Sequence, residues 1–349
     1  MVFSFGIIGT GMIADFHAKA IEAIPEGRGA LAACFDSNRE RSEAFGKTHA
    51  CAAYSTLDAF LRHPGLQIVT VCTPSGAHMD SSVAAAAAGK HLIVEKPLEI
   101  TTERCDRIIE ACRKSGVLLA GVFPSRFHDA ARAVKHAVDA GRFGKLTMGS
   151  AYVRWFRSQE YYDKGGWHGT WALDGGGALM NQSIHAVDLL QWLMGPVQGV
   201  QSYAGTLAHE RIEVEDTAVA AVRFASGALG TIEGTTASYP GFYKRVVISG
   251  TRGSAVLEEE SLKAWEFADP VPQDAVIRRE LADETASGGG AGDPGAIAPD
   301  GHRKQFEDFL RALQTGGRPL VDGAEARKAV QIIEAIYRSA RESRAVAVG

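Results

Sequence analysis

The chain has no uninterrupted run of about 18 apolar residues, the length a membrane-spanning helix needs, so no membrane partner is expected. It also lacks an excess of charge of either sign: 37 Lys and Arg against 41 Asp and Glu give a formal net charge of −4. With no basic surplus to neutralise a phosphate backbone, no nucleic-acid partner is expected either. Cysteine is scarce, with five residues and no C-x-x-C pair. Cys34 and Cys72 fall in apolar runs, which reads as reduced core thiols in a cytoplasmic chain. No basic segment precedes the short apolar run of residues 1–9, which leads into a glycine motif rather than a cleavage site, so no secretory signal is read. A G-x-S-x-G elbow is missing, which argues against hydrolysis by a Ser-His-Asp route. His168, Asp174, His185 and Asp188 are metal-ligand types, but no H-x-x-x-H or clustered pattern assembles them, and no metal is expected.

What is present is the composition of an ordinary globular protein, 46% hydrophobic and 22% charged over 349 residues. A single core stops growing at about 250–300 residues, so two domains are expected. Apolar strands at residues 5–8, 30–35, 67–72, 91–94 and 117–122 alternate with helical spacings at residues 12–23, 37–46, 79–88 and 102–115. Strands alternating with helices on short connections predict an α/β fold, a doubly wound parallel sheet over residues 1–122. From residue 123 the rhythm changes. After one helix near residues 130–140, period-2 stretches at 146–154, 200–206, 217–223, 227–233, 243–249 and 253–258 predict a mainly antiparallel sheet. Residues 123–349 are therefore expected to form an α+β domain whose last helices, near 303–314 and 324–343, could return to the first. The glycine-rich stretch Ala286–Pro294 sustains neither helix nor strand and is expected to be a mobile loop.

Gly9-Thr10-Gly11-Met12-Ile13-Ala14 is G-x-G-x-x-A between a strand and a helix. The first glycine permits the turn, the second lets a pyrophosphate approach the backbone, the small Ala14 allows close packing, and the helix start faces the phosphates. Asp36 ends the second strand where an acidic residue accepts hydrogen bonds from the adenosine ribose, and its charge would repel a 2′-phosphate. NAD is the expected cofactor, with an NADP pocket built from Ser37, Asn38 and Arg39 as the alternative. Thr73, Pro74 and His78 follow the third strand near the expected dinucleotide, although His78 could equally be a helix-start residue.

Glu95-Lys96-Pro97 closes the fourth strand, and ligands of open parallel sheets bind outside the strands' carboxyl ends. An ammonium there can hold a substrate hydroxyl. In the second domain three glycines, 175–177, run into a helix on which Asn181, His185 and Asp188 fall at i, i+4 and i+7, one face of an otherwise apolar element. A histidine oriented by a carboxylate suits general acid–base work near neutral pH, while Asn181 could hold a hydroxyl. The bland reading is a core histidine satisfied by Asp188. Arg126, after the fifth strand, could reach the nicotinamide end or the substrate, or form a salt bridge between domains. Tyr161, Trp167, His168 and His302 are candidates to line the substrate pocket, against a reading of the aromatics as core.

In these three motifs, in this order, the chain resembles the Gfo/Idh/MocA oxidoreductases, over nearly its whole length. The resemblance implies an N-terminal Rossmann domain, a C-terminal α+β domain with a large open sheet that often mediates dimers or tetramers, and a hydroxyl-bearing carbohydrate substrate. It also implies that Lys96 and His185 flank the reacting carbon. Many members carry Asp at the position of Asn181, so here proton transfer falls to His185 or Lys96. The string from Tyr161 to Asp174 with Asn181-Gln182 is similar to a subgroup of nucleotide-sugar 3-dehydrogenases, in which Arg usually stands where this chain has His168. The implied reaction is hydride transfer between a secondary hydroxyl of a sugar, polyol or nucleotide sugar and NAD. An NAD-dependent glycosidase on the same fold and a non-catalytic dinucleotide sensor are the rival readings; retention of both Lys96 and His185 speaks against the second.

Overall fold

The structure is a computed structural model that describes residues 2–164, 166–282 and 300–349. The predicted glycine-rich loop Ala286–Pro294 lies outside the described residues. The chain divides into two compact units, Met1–Pro124 with Pro299–Lys328, and Ser125–Ala298 with Ala329–Gly349. Residues 299–328, assigned by sequence to the second domain, therefore count with the first.

The first unit is built on six strands: β1 (Phe3–Ile8), β2 (Gly29–Phe35), β3 (Ala52–Tyr54), β4 (Ile68–Val71), β5 (His91–Val94) and β6 (Leu119–Gly121). Every pairing is parallel and the spatial order is β3-β2-β1-β4-β5-β6, the dinucleotide-binding order with its switch point between β1 and β4. β4 is buried along all four residues, as a strand covered on both faces must be. Phe5, Ile7, Ile68 and Ile93 from the sheet pack with Ala14, Ala18 and Ile21 of the helix Met12–Glu22 and with Phe306, Phe309 and Leu310 of the helix Asp300–Thr315. Burying each such phenylalanine contributes about 2–3 kcal/mol. Gln305 fastens this late helix to the end of β6, accepting from the Phe123 N–H at 3.0 Å and donating to the Gly121 carbonyl at 2.6 Å.

The second unit carries β7 (Leu146–Arg154), β8 (Val197–Gly205), β9 (Thr217–Phe224), β10 (Leu229–Thr235), β11 (Arg245–Gly250), β12 (Gly253–Glu258), β13 (Ser261–Phe267) and β14 (Val346–Ala347), in the order β13-β12-β11-β7-β10-β9-β8-β14. β10 and β7 pair in parallel and all other neighbours run antiparallel, so the sheet is mainly antiparallel as expected. Its period-2 burial puts Ala218, Ala220 and Val222 inside, while Met148, Val219, Leu229 and Tyr203 are exposed. No described helix is long and apolar enough to cross a membrane.

Candidate active site

In the first unit, the turn after β1 is shaped for close approach. Gly9 has φ 85°, and a Cβ there would lie 2.8 Å from the Cys72 carbonyl oxygen, so no other residue fits. Over Gly11 the space is open: a Cβ there would find Arg41 Nη2 as its nearest neighbour, at 3.7 Å. Ala14 is fully buried, as close helix–strand packing demands. Asp36 ties the turn to the end of β2: its Oδ2 accepts from the Thr10 N–H at 3.0 Å and the Thr10 hydroxyl at 2.9 Å, and its Oδ1 from the Asn38 N–H at 2.9 Å. Burial pushes the Asp36 carboxyl up, but these donors and the Arg41 charge outweigh it and hold the group below its ordinary range. An open, glycine-lined turn at a helix start with an anionic carboxylate beside it fits a dinucleotide. Met12 stands exposed next to it and Ile13 packs partly buried against the core.

Arg41, whose guanidinium lies 3.6 Å from Asp36, is a residue sequence reasoning missed. Its signal was its place one turn into the helix Arg39–Thr48, capped by Asn38. Arg39 instead turns outward to Glu43.

Thr73 and Pro74 follow β4 as expected, and the Thr73 hydroxyl donates to the Ala77 carbonyl. His78 is buried, its ring nitrogens each 2.9 Å from a carbonyl oxygen, those of Pro97 and Thr73. It is a brace between the turns after β4 and β5 rather than an open helix-start residue. Glu95 is buried with its Oε1 2.7 Å from His17 Nε2, while its Oε2 accepts the Lys96 backbone N–H at 2.9 Å. Lys96 is half-buried at the end of β5.

His302 does not belong with the second unit's loops, where it was placed by sequence. It is buried in the first unit on the helix Asp300–Thr315, with Nε2 3.8 Å from Glu95 Oε1. The run Gln305, Phe306, Phe309 and Leu310 carries it there by burying its own face. Among the described residues, His17, Glu95 and His302 bring candidate ligand atoms within 4.8 Å of one another. The 2.7 Å contact of His17 with Glu95 is nevertheless a direct charge-assisted hydrogen bond, because two atoms held by one ion at about 2 Å sit about 3 Å or more apart.

In the second unit, the predicted continuous α-helix begins as a wide π turn over Ala178–Ser183, and α geometry starts at Ile184–Met194. Ser183 Oγ donates to the carbonyl five residues back, that of Ala178, at 2.7 Å. Glu215 holds the entry, accepting from the Gly177 and Leu179 N–H groups at 2.9 and 2.8 Å and from the Tyr337 hydroxyl at 2.9 Å. Burial pushes its carboxyl up to about 7 despite those donors. A Cβ on Gly177 would overlap the Glu215 carbonyl oxygen.

The polar stripe on this element splits in two. Between residues 178 and 191 only Asn181 and His185 keep partial exposure, whereas Asp188 is fully buried. Asp188 takes a bidentate pair from Arg126, Nε to Oδ2 at 2.8 Å and Nη2 to Oδ1 at 2.6 Å, with the guanidinium 5.4 Å from the Trp192 ring. Both side chains are 0% exposed, so Arg126 is a salt-bridge residue inside the second unit, not a group presented to a ligand.

Around Asn181 the structure brings together Tyr161, Trp167 and His168, but neither Arg126 nor His302. Its Nδ2 donates to Asp174 Oδ1 at 2.6 Å, and Asp174 Oδ2 accepts the Gly169 N–H at 2.9 Å. Gln182 Nε2 donates to the Tyr161 hydroxyl at 3.1 Å, and Arg157 fixes Gln182 Oε1 at 2.9 Å. His168 lies 4.8 Å from the Tyr161 ring and stacks on Trp167 at 3.9 Å. Burial and the Asp174 charge push the Tyr161 phenol up to about 12, so at neutral pH it keeps its proton. Arg157, Glu215 and Tyr337 had no local sequence signal, since each acts on residues distant in the chain.

Residues 3–122 match the model of an oxidoreductase family with an NAD-binding Rossmann fold, and residues 131–256 match the GFO/IDH/MocA C-terminal domain. The chain is 28% identical to myo-inositol 2-dehydrogenase of Thermotoga maritima, covering 98% of this chain and 97% of the relative. It is 26% identical to levoglucosan dehydrogenase of Pseudarthrobacter phenanthrenivorans, over 96% and 95% of the two. The crystal structure of the WlbA dehydrogenase from Bordetella pertussis in complex with NADH and UDP-GlcNAcA superposes with a TM-score of 0.90 at 35% identity, over 100% of this chain and 98% of that one. With an NAD-type turn after β1, a lysine at the end of β5 and a glycine-led helix carrying His185, the chain belongs to the GFO/IDH/MocA family of NAD-binding oxidoreductases.

Proposed function

We propose that this dehydrogenase oxidises a secondary hydroxyl of a sugar ring, free or nucleotide-linked, with Lys96 and His185 as its catalytic residues. The observation that carries this reading is the pair Asn181 and His185, partly exposed one turn apart where the other residues from 178 to 191 are buried, beside the Tyr161, His168 and Trp167 rings. Flat aromatic faces next to amide donors and acceptors suit a ring with apolar C–H faces and polar edges. Relatives named for myo-inositol and levoglucosan, and a structural neighbour holding UDP-GlcNAcA, support the substrate class.

Bound NAD supplies the hydride acceptor. His185 takes the hydroxyl proton, and Lys96 holds the oxygen and stabilises the negative charge that develops on it. Asn181 cannot accept a proton; fixed through its amide by Asp174, it orients a substrate hydroxyl. Tyr161, Trp167 and His168 face the sugar. Gly9, Thr10, Gly11, Met12, Ile13 and Asp36 hold the dinucleotide, with Thr73, Pro74 and Glu95 at the neighbouring strand ends. The anionic Asp36 favours NAD over NADP, and Arg41 beside it is the group able to soften that preference.

The exposed sheet residues Met148, Val219, Leu229 and Tyr203 suit a homodimer or homotetramer, which light scattering would measure. The five cysteines are free, which suits the cytoplasm. The central test is a panel of inositols, anhydrosugars and UDP-linked uronates, each with NAD or NADP, followed at the nicotinamide absorbance. At least one pairing turns over, and Lys96→Ala or His185→Ala removes turnover while NADH binding survives. Wild-type turnover in both variants would refute the assignment.

A further inference from the structure

The helix Met12–Glu22 presents Ala14, Ala18 and Ile21 to the core, so an apolar residue would be ordinary at the buried position between them. The chain has His17 there instead, fully buried, with Nε2 2.7 Å from Glu95 Oε1, Nδ1 3.4 Å from Cys72 Sγ and its ring edge-on to Phe306 at 5.2 Å. Glu95 is also buried, and its other oxygen accepts the backbone N–H of the next residue, Lys96. Burying an imidazole and a carboxylate together stabilises no better than apolar residues of the same volume would. The pair therefore calls for a reason beyond stability, and its geometry supplies one. A carboxylate with one oxygen on a helix side chain and the other on the Lys96 amide is a strut between that helix and the end of β5.

We infer that His17 is a positioning residue for Lys96, acting through Glu95 to fix the backbone from which the lysine side chain springs. The inference rests on the reading of Lys96 as catalytic. The strut is electrostatically closed: burial opposes the Glu95 charge, but His17, His302 and Lys96 hold the carboxyl well below its ordinary range. For His17, burial opposes the charge while the Cys72 sulfur and Glu95 hold the imidazole above its ordinary range. The carboxylate thus remains a full acceptor for the Lys96 N–H through the neutral range.

The test compares His17→Leu, His17→Gln and His17→Asn. A glutamine amide nitrogen reaches about as far as the ring Nε2 and can still donate to Glu95, an asparagine amide stops short, and leucine donates nothing. In the cofactor-free protein, amide hydrogen exchange at Lys96 is expected to rise about tenfold or more in His17→Leu and His17→Asn and to stay within about threefold of wild type in His17→Gln. If the leucine variant fails to fold, the comparison of the two amides decides. With myo-inositol, levoglucosan and UDP-GlcNAcA as probes, kcat is expected to fall about 10- to 100-fold in His17→Asn, with the Kd for NADH within about threefold of wild type and kcat recovered in His17→Gln. Unchanged exchange at Lys96 in both His17→Leu and His17→Asn would overturn the inference, as would a kcat in His17→Gln no higher than in His17→Asn. Wild-type turnover in Lys96→Met alone would instead sink the catalytic reading and leave the exchange result to judge the strut.

Discussion

The sharpest consequence of the structure concerns Arg126 and Asp188, joined by two hydrogen bonds of 2.8 and 2.6 Å with neither side chain exposed. Replacing Asp188 with Ala leaves a guanidinium buried without its counter-charge. At an effective dielectric of about 20 and a charge separation of about 4 Å, the lost attraction is about 4 kcal/mol, in line with the roughly 3–5 kcal/mol measured when buried pairs are broken from one side. For a unit of this size that corresponds to a fall in Tm of about 6–20 °C. Replacing both partners with apolar residues, Arg126→Met with Asp188→Leu, removes the charge and its partner together and is expected to cost about 1 kcal/mol or less. Chemical denaturation of the two single variants and the double variant, read as a cycle, measures the coupling. If Asp188→Ala loses less than about 1 kcal/mol, or the double variant loses as much as the single, the pair is not the buried ion pair described. If the double variant keeps its stability but loses turnover, Arg126 serves the substrate after all.

Asp36→Ala removes an acceptor from the Thr10–Asn38 turn and the charge that disfavours a 2′-phosphate. The Kd for NADH should rise about tenfold or more and the preference over NADPH should narrow, both read by nicotinamide fluorescence. Adding Arg41→Ala to Asp36→Ala should weaken NADPH more than NADH. Gly177→Ala should cost several kcal/mol or prevent folding, since its Cβ overlaps the Glu215 carbonyl; wild-type stability on thermal melting would show that this turn is free to shift. Glu215 has a folded-state carboxyl raised to about 7, so the native chain holds a proton the unfolded chain releases above its own lower value. Its stabilising contribution is complete below about pH 4.5 and is lost as pH rises through 7, so Glu215→Gln should gain on wild type, by up to about 3 kcal/mol, between pH 5 and pH 8. A stability difference that is flat with pH would contradict the raised value.

The parallel half of the fold was legible because its strands are short apolar runs with helical spacings between them, and the glycine turn, Asp36 and Glu95-Lys96-Pro97 sit at strand ends where local pattern has meaning. β3 escaped notice: it is three residues, Ala-Ala-Tyr, mostly exposed at the sheet edge, with no alternation to see. β13 escaped because a register shift opposite Val256 and Leu257 leaves Lys263 as an extra residue and breaks the period of two. In the candidate site, Asn181 and His185 were legible from their four-residue spacing. The π turn was not, since the carboxylate that holds its entry, Glu215, accepts from Gly177 and Leu179 across 38 and 36 positions of chain. Arg126 with Asp188, 62 positions apart, and His302 with Glu95 are tertiary pairings, and no local window contains both partners.

β7 is paired along most of its length on both sides, with β10 over residues 148–154 and with β11 from Arg245 to Gly250. Everything from Arg157 to His185 that meets the proposed sugar is spliced in between that anchored strand and β8. Such an arrangement separates two kinds of inheritance: the sheet can be conserved as a platform while the splice is rewritten. New sugar preferences in relatives of this chain should therefore map to substitutions and length changes within about residues 157–182, with the strand register on either side left untouched.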